Sequence, residues 1–403
     1  MHTKQNIEDC VRYQVRGWDY TRPVEVYLTS GYGHPLRWVL YEFEPTTLEL
    51  LGQFQYLQDV NTGQSVRFEK WSPPLGLTKL EPSDDYHFKN YLDELMTDEV
   101  LVDFPWRCFE EESQINDFQA TMLAMICELY QGTRDPEVSG LTVPPKKYSN
   151  MPSQLSHLLQ KIIRMLIITY IMGHTLTITQ ETLPMVHSHL RSGYKPTNLA
   201  PHTSPRLANR QLKFFFHVLR NQIYEDILKW QQATLHTSGG KNTTWLSTFV
   251  VMLAFAMVLE EAQRTMQIQA DAKWRKRECS YDEAQQEASN ACERIDARFA
   301  LLIGLFQCKY RDKKWVRGGS FGPQTPRLRD PVEHNFCSQL RELLDERRKS
   351  NADTIPVSPL LTKTPEMHLR SRKDVPFSSQ TQCQYTTRLV ARFLLPFLDL
   401  PVG

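Results

Sequence analysis

Fifteen residues, Trp245 to Leu259, carry only two polar side chains, Ser247 and Thr248, before Glu260 and Glu261 close the run. A bilayer span takes about 20 apolar residues, so this stretch falls short of one and is expected to be a buried core helix. A helix that is apolar all round needs other helices packed around it, which makes a mainly α body the expected fold. Beyond Glu261 the apolar positions thin to a stripe at Ala262, Met266, Ala270 and Trp274, so the same helix should leave the interior and continue along the surface. Ser280 and Glu283 then have capping-box spacing, in which the hydroxyl takes the amide three residues on and the carboxylate reaches back. The helix that starts there has its stripe at Ala284, Ala288, Ala291, Ile295, Phe299, Leu302 and Phe306. Spacings of four and three suit packing against a neighbouring helix, most simply the first one folded back as a long helical hairpin.

The rest of the chain divides by period. Val24, Val26 and Leu28 alternate with Glu25, Tyr27 and Thr29 until Gly31 to Pro35 breaks the run, which reads as a strand and a turn. Arg37 to Phe43, Leu50 to Val60 and, after an Asn61-Thr62-Gly63 turn, Ser65 to Trp71 are three more strand candidates, so a small antiparallel sheet is expected at the N-terminus. Pro-rich Ser72 to Asp85 reads as a connector. Helical periods follow from Ile115 to near Gly132, Ser153 to Gly173 and Leu207 to Leu235, the last with Phe215, Leu219, Ile223, Ile227 and Trp230 inward. Thr182 to Pro205, with four prolines, is expected to be a loop. A capped helix is expected from Asp330 with Phe336, Leu340 and Leu344 inward. The expected division is a tail at 1–20, a β-containing region at 21–80, a helical domain at 81–350, a flexible linker at 351–382 and a docking helix within 383–403.

Charge and cysteines narrow the function classes. Lys+Arg 47 against Asp+Glu 46 leave a formal +1, so any attraction to nucleic acid or membrane has to come from a local patch. Cys10, Cys108, Cys127, Cys279, Cys292, Cys308, Cys337 and Cys383 lie far apart, which reads as scattered thiols of a reducing compartment rather than a disulfide framework or a zinc site. Met1 to Cys10 is polar and lacks the apolar stretch of a secretory signal, so an intracellular protein is expected. Gly239-Gly240-Lys241-Asn242 departs from a phosphate-binding Walker loop twice, with Leu235 in place of the first glycine and Asn242 in place of the hydroxyl. GxGxxG, GxSxG and HExxH patterns are lacking. His187 and His189 read as surface histidines, and Cys292 as a small core residue. No catalytic residue, metal site or cofactor is assigned.

Two basic clusters remain: Lys273, Arg275, Lys276 and Arg277, then Lys309, Arg311, Lys313, Lys314 and Arg317. Each closes a long striped helix. They are either solvated helix ends, where cations also suit the C-terminal dipole, or candidate nuclear-import or phosphate-contacting groups.

Several word-like stretches carry a resemblance: Val24-Glu25-Val26-Tyr27-Leu28-Thr29-Ser30-Gly31-Tyr32-Gly33, Leu36-Arg37-Trp38, Tyr41-Glu42-Phe43, Gln53 to Gln58, Ser72-Pro73-Pro74-Leu75-Gly76-Leu77 and Leu259-Glu260-Glu261-Ala262-Gln263. Over about residues 20 to 320 the chain resembles the region that follows the zinc cluster in fungal binuclear zinc-cluster (Zn2Cys6) transcription regulators. The module that reads DNA in that family needs six cysteines in two tight clusters, and none of the eight here forms a CxxC. The expectation is that the module has been lost or lies upstream of Met1, so no zinc ligand is assigned.

The resemblance implies a transcription-regulator-like protein, not an enzyme, that acts through protein contacts with other regulators or itself, in the nucleus or alternatively the cytoplasm. Control of a metabolite biosynthesis pathway belongs to the same implication. Sequence-specific DNA binding by this chain alone and membrane association are not expected. The alternatives are a helical ligand-binding module or enzyme with a dispersed pocket, favoured by strongly perturbed carboxylates or histidines in a deep cavity, and a structural helical scaffold.

Overall fold

A computed structural model describes residues 15–46, 52–58, 65–78, 82–108, 117–134, 154–194, 203–237, 244–275, 278–310, 335–340, 342–343 and 388–394. The strands are β1 (Val15–Thr29), β2 (Leu36–Pro45), β3 (Gly52–Gln58), β4 (Ser65–Trp71), β5 (Leu75–Gly76) and β6 (Thr177–Ile178). The helices are α1 (Pro82–Glu94), α2 (Asp98–Leu101), α3 (Phe104–Cys108), α4 (Asp117–Arg134), α5 (Gln154–Gly173), α6 (Leu183–His189), α7 (Arg206–His236), α8 (Trp245–Arg275), α9 (Tyr281–Lys309) and α10 (Arg388–Leu394). A small N-terminal antiparallel sheet followed by a helical body is the architecture the periods predict. The chain forms two compact units, Met1–Val100 with Tyr170–Asn221, and Leu101–Thr169 with Gln222–Gly403.

In the first unit the four-stranded sheet has the order β5-β2-β1-β6, and β3 and β4 pair separately. The β1–β2 register sets Val24 opposite Leu40, Val26 opposite Trp38 and Leu28 opposite Leu36. Because side chains alternate along a strand, this register buries Val24, Val26, Leu28, Leu36 and Leu40 together. Trp38 stacks on Phe88 of α1 at 4.8 Å, and Phe88 in turn stacks on Phe215 of α7 at 4.4 Å. On the other face Arg37 pairs with Glu25 at 2.5 Å. The connector Ser72 to Asp85 supplies a short strand as well, since β5 pairs Tyr41 with Gly76 and Glu42 with Leu75. The region expected as a loop from Thr182 to Pro205 contains a helix, α6. Pro184 sits in its first turn, where the missing amide hydrogen has no helical acceptor to lose.

In the second unit α8 is the central helix. Every residue from Trp245 to Val258 except Ser247 is buried, which is the environment the apolar run predicts. By length and composition Leu155–Gly173 and Trp245–Met266 could each cross a membrane, but 61% and 78% of those windows are buried inside the protein, as in core helices. Spanning 31 residues, α8 is about 46 Å long at about 1.5 Å rise per residue. The capping box forms as the spacing predicts: Ser280 Oγ accepts the Glu283 amide at 3.2 Å, and Glu283 Oε2 accepts the Ser280 amide at 3.0 Å. Along α8 and α9 the contacts run in reverse order, Lys273 with Glu287, Gln263 with Asp296 and Thr248 with Tyr310. Residues 335–340 are helical, with Phe336 and Leu340 buried. The expected linker at 351–382 and the Asn61-Thr62-Gly63 turn lie outside the described residues.

Candidate functional site

The stretches that carry the resemblance stitch the fold together. In the β1–β2 turn, Gly31 and Gly33 have φ of 92° and 61°. A Cβ on Gly33 would run into Leu95 Cδ2 and lie 3.0 Å from Val100 Cγ1, so this turn takes glycine for room as well as for its dihedral. Tyr32, buried between them, donates its hydroxyl to the Leu95 carbonyl at 2.8 Å. Gly76 is equally confined, with Leu207 Cδ2 and Trp18 Cη2 each 2.9 Å from where a Cβ would stand. Beside it the Gln211 amide bonds both backbone groups of Leu77, accepting at 2.9 Å and donating at 2.7 Å. Ser72 Oγ accepts the Arg206 amide at 2.9 Å, satisfying one of the free donors at the start of α7 from a distant segment.

The Arg191 guanidinium stands beside the buried Glu42 carboxylate, Nε to Oε1 at 3.8 Å. Glu42 is 1% exposed. Its Oε1 accepts the Arg191 amide at 3.4 Å, and Arg191 Nη2 reaches Asp19 Oδ2 at 3.1 Å from the opposing strand. Hydrogen bonds from Thr21 and Arg191 hold the Asp19 carboxyl below its ordinary value. His189 Nε2 donates to the Arg22 carbonyl, 2.9 Å away, while the Arg22 guanidinium donates to the His189 carbonyl. His187 meets Trp71 edge-on at 6.4 Å. The two histidines therefore serve separate contacts.

The second unit holds a polar seam inside its apolar packing. Glu260 is 6% exposed at the end of the apolar run. Its Oε2 accepts from Gln119 Nε2 of α4 at 2.6 Å, and its Oε1 accepts the amides of Leu389 and Val390 of α10 at 2.5 and 3.0 Å. One turn along α8, Gln263 Nε2 donates to the Cys292 carbonyl at 3.2 Å and to Asp296 Oδ1 at 2.6 Å. Buried polar groups held this way set which residues of α8 and α9 face each other, since a slipped register would strand them. Farther out, Ala270, Ala284 and Ala288 bring the helices close. Trp274 there crosses Tyr281 at 5.3 Å and Lys273 pairs with Glu287 at 2.7 Å.

Of the nine basic candidates, the two whose side chains are described differ sharply. Lys273 is half-exposed in its ion pair with Glu287, whose hydrogen bond holds the ammonium above the ordinary lysine value. Lys309 is 7% exposed; its ammonium donates to the carbonyls of Thr234 and Thr237 at the C-terminal end of α7, where helical carbonyls lack intrahelical partners. Arg275 closes α8, while Lys276, Arg277, Arg311, Lys313, Lys314 and Arg317 lie outside the described residues. The sequence reading passed over Glu260 and Lys309 as structural groups, although a signal was present. Glu260 follows Ala256 by four, and Lys309 follows Phe306 by three, so both continue the buried stripes of their helices.

Cys108, Cys127, Cys279 and Cys308 are free thiols, and burial pushes those of Cys108 and Cys127 up. Among the described residues no group of three or more His, Cys, Asp or Glu could hold a metal ion, and the carboxyls with a displaced pKa, Asp19, Glu25 and Glu283, all move down through exposed hydrogen bonds.

A helical protein with a small N-terminal sheet, whose distinctive residues hold segments to one another, is the class this structure defines. The chain belongs to the KpeA transcription factor family, whose model matches residues 1–317. It is accordingly a transcription-regulator-like protein. No curated protein and no solved structure matches the chain.

Proposed function

We propose that this protein regulates transcription from the nucleus through protein contacts rather than through catalysis, and that its kinship is with the regulatory region of fungal zinc-cluster regulators. The observation that carries the reading is the family match across 317 of 403 residues. The resemblance extends the reading to control of a metabolite biosynthesis pathway. Nuclear import is assigned to Lys273, Arg275, Lys276 and Arg277, and to Arg311, Lys313, Lys314 and Arg317, with Lys309 serving the fold. An exposed pair such as Lys273–Glu287 holds its lysine by only about 0–1 kcal/mol, so a receptor can claim that ammonium.

Phosphate contacts carry no base information, so a basic patch without a groove-reading element distinguishes one duplex from another hardly at all. Titration of labelled promoter duplexes and scrambled controls at near-physiological salt tests this. Similar, steeply salt-dependent affinities are expected; discrimination above about a thousandfold, the low end for specific recognition, would refute the reading. Replacing Lys273, Arg275, Lys276 and Arg277 by Gln should move a fluorescent fusion toward the cytoplasm.

A further inference from the structure

The C-terminal helix α10 is held by two devices on α8 and α9. Leu389, Val390, Phe393 and Leu394, spaced i, i+1, i+4 and i+5, lie on one face and are each no more than 1% exposed. The Phe393 ring enters between Phe249 of α8, at 5.1 Å, and Phe306 of α9, at 5.4 Å. The Glu260 carboxylate bonds the Leu389 and Val390 amides, the donors that a helix start leaves free, while Gln119 fixes its other oxygen. This is an apolar slot for one side chain beside an acceptor for backbone amides. The slot selects an aromatic or aliphatic residue, and the acceptor selects a helix start of any sequence.

Receptor and occupant also differ in kind. Gln119, Phe249, Glu260 and Phe306 all fall within the family match, whereas α10 lies beyond its end at residue 317. Leu343 and Arg388 are 45 positions apart in the sequence.

We propose that the groove bounded by Phe249, Glu260 and Phe306 is an exchangeable helix-docking site, with α10 as its intramolecular ligand. While α10 is seated the groove is closed, and a protein that uses this face has to displace it with a helix of the same pattern, apolar at i, i+1, i+4 and i+5. The inference deepens the protein-contact reading. Its test reads occupancy of the groove in purified protein, so it fails or succeeds independently of the DNA and localisation experiments.

The test places a specific protease site between residues 360 and 370 of the full chain, cleaves the folded protein, and titrates it with a fluorescent peptide of residues 384–398 by anisotropy. The cleaved chain should keep its helical circular dichroism and bind the peptide by exchange, with the uncleaved chain binding at least a hundredfold more weakly because its groove is occupied. A Phe393→Asp peptide, and a peptide N-methylated at the Leu389 and Val390 amides, should each bind at least tenfold more weakly, since the first removes the slot contact and the second the charge-assisted hydrogen bonds. The methylated peptide probes Glu260 without altering the protein. Loss of helical signal on cleavage, absence of exchange, equal binding to uncleaved chain, or full binding by the methylated peptide would each overturn the proposal.

Discussion

Replacing Lys309 by Met separates a structural lysine from a surface one. The side chains are of similar length, so the change removes the ammonium and leaves most of the apolar stem in place. In the native protein that ammonium serves the Thr234 and Thr237 carbonyls, the second at 3.1 Å, from a site 7% exposed. Hydrogen bonds from a charged donor are each worth about 1.5–3 kcal/mol, and after the change the Thr234 carbonyl keeps the Thr237 hydroxyl at 2.9 Å as a donor. Against this stands the several-kcal/mol cost of keeping a charge out of water, which the methionine no longer bears. The difference should be a destabilisation of about 2 kcal/mol. For a unit of this size about 2–4 °C accompany each kcal/mol, so the melting temperature of the second unit should fall by about 4–8 °C. Lys273→Met, at an exposed pair, should cost under about 1 kcal/mol. Urea unfolding followed by circular dichroism at 222 nm, with the slope checked for constancy, measures both variants. If Lys309→Met unfolds within about 0.5 kcal/mol of the native protein, the range of ordinary surface substitutions, the argument that Lys309 caps α7 is wrong.

Three other outcomes follow from buried groups. Val251→Asp introduces an unpaired charge at a fully buried point of α8 and should destabilise by more than about 4 kcal/mol; a variant that purifies and melts like the native chain contradicts the burial of that helix. Tyr91 is 4% exposed with its hydroxyl unpartnered among the described residues, so Tyr91→Phe should be neutral or stabilise by about 1 kcal/mol in equilibrium unfolding, and a loss of that size would reveal a partner for the hydroxyl. Burial brings the Lys213 ammonium, which donates to the Met172 carbonyl, down from 10.5 to about 8. Between those values the unfolded chain binds a proton that the folded one does not, so stability should rise with pH across that window and stay level in this respect below it. Lys213→Met should remove that rise, and unchanged pH profiles of the two proteins would show that the lysine is solvated.

Where the determinants are local, the sequence by itself was sufficient. The run from Trp245 to Leu259 required a buried helix because every direction around it is apolar, and Ser280 with Glu283 marked the start of α9 because a capping box is closed within four residues. Alternation at Val24, Val26 and Leu28 was enough to orient β1, since the two-residue period has only two faces to assign. The helical periods of α4, α5 and α7 were visible for the same reason.

Tertiary structure decided what depends on distant partners. Whether Lys309 belongs to a solvent-facing cluster or to a helix end turns on Thr234, 75 residues earlier; its place three residues after Phe306 marks the buried face but not the group it serves. Glu260 follows an apolar helix as a charge that could equally mark its exit to solvent. It is instead buried because two amides 129 and 130 residues away reach it. The two-residue strands β5 and β6 have no period of their own and exist only as edges of β2 and β1. Periodicity reports which face of an element is apolar. Which group fills or satisfies that face is set by closure of the chain on itself, and here that closure, through Glu260, Gln263, Lys309 and Gln211, made the polar residues of the interior legible.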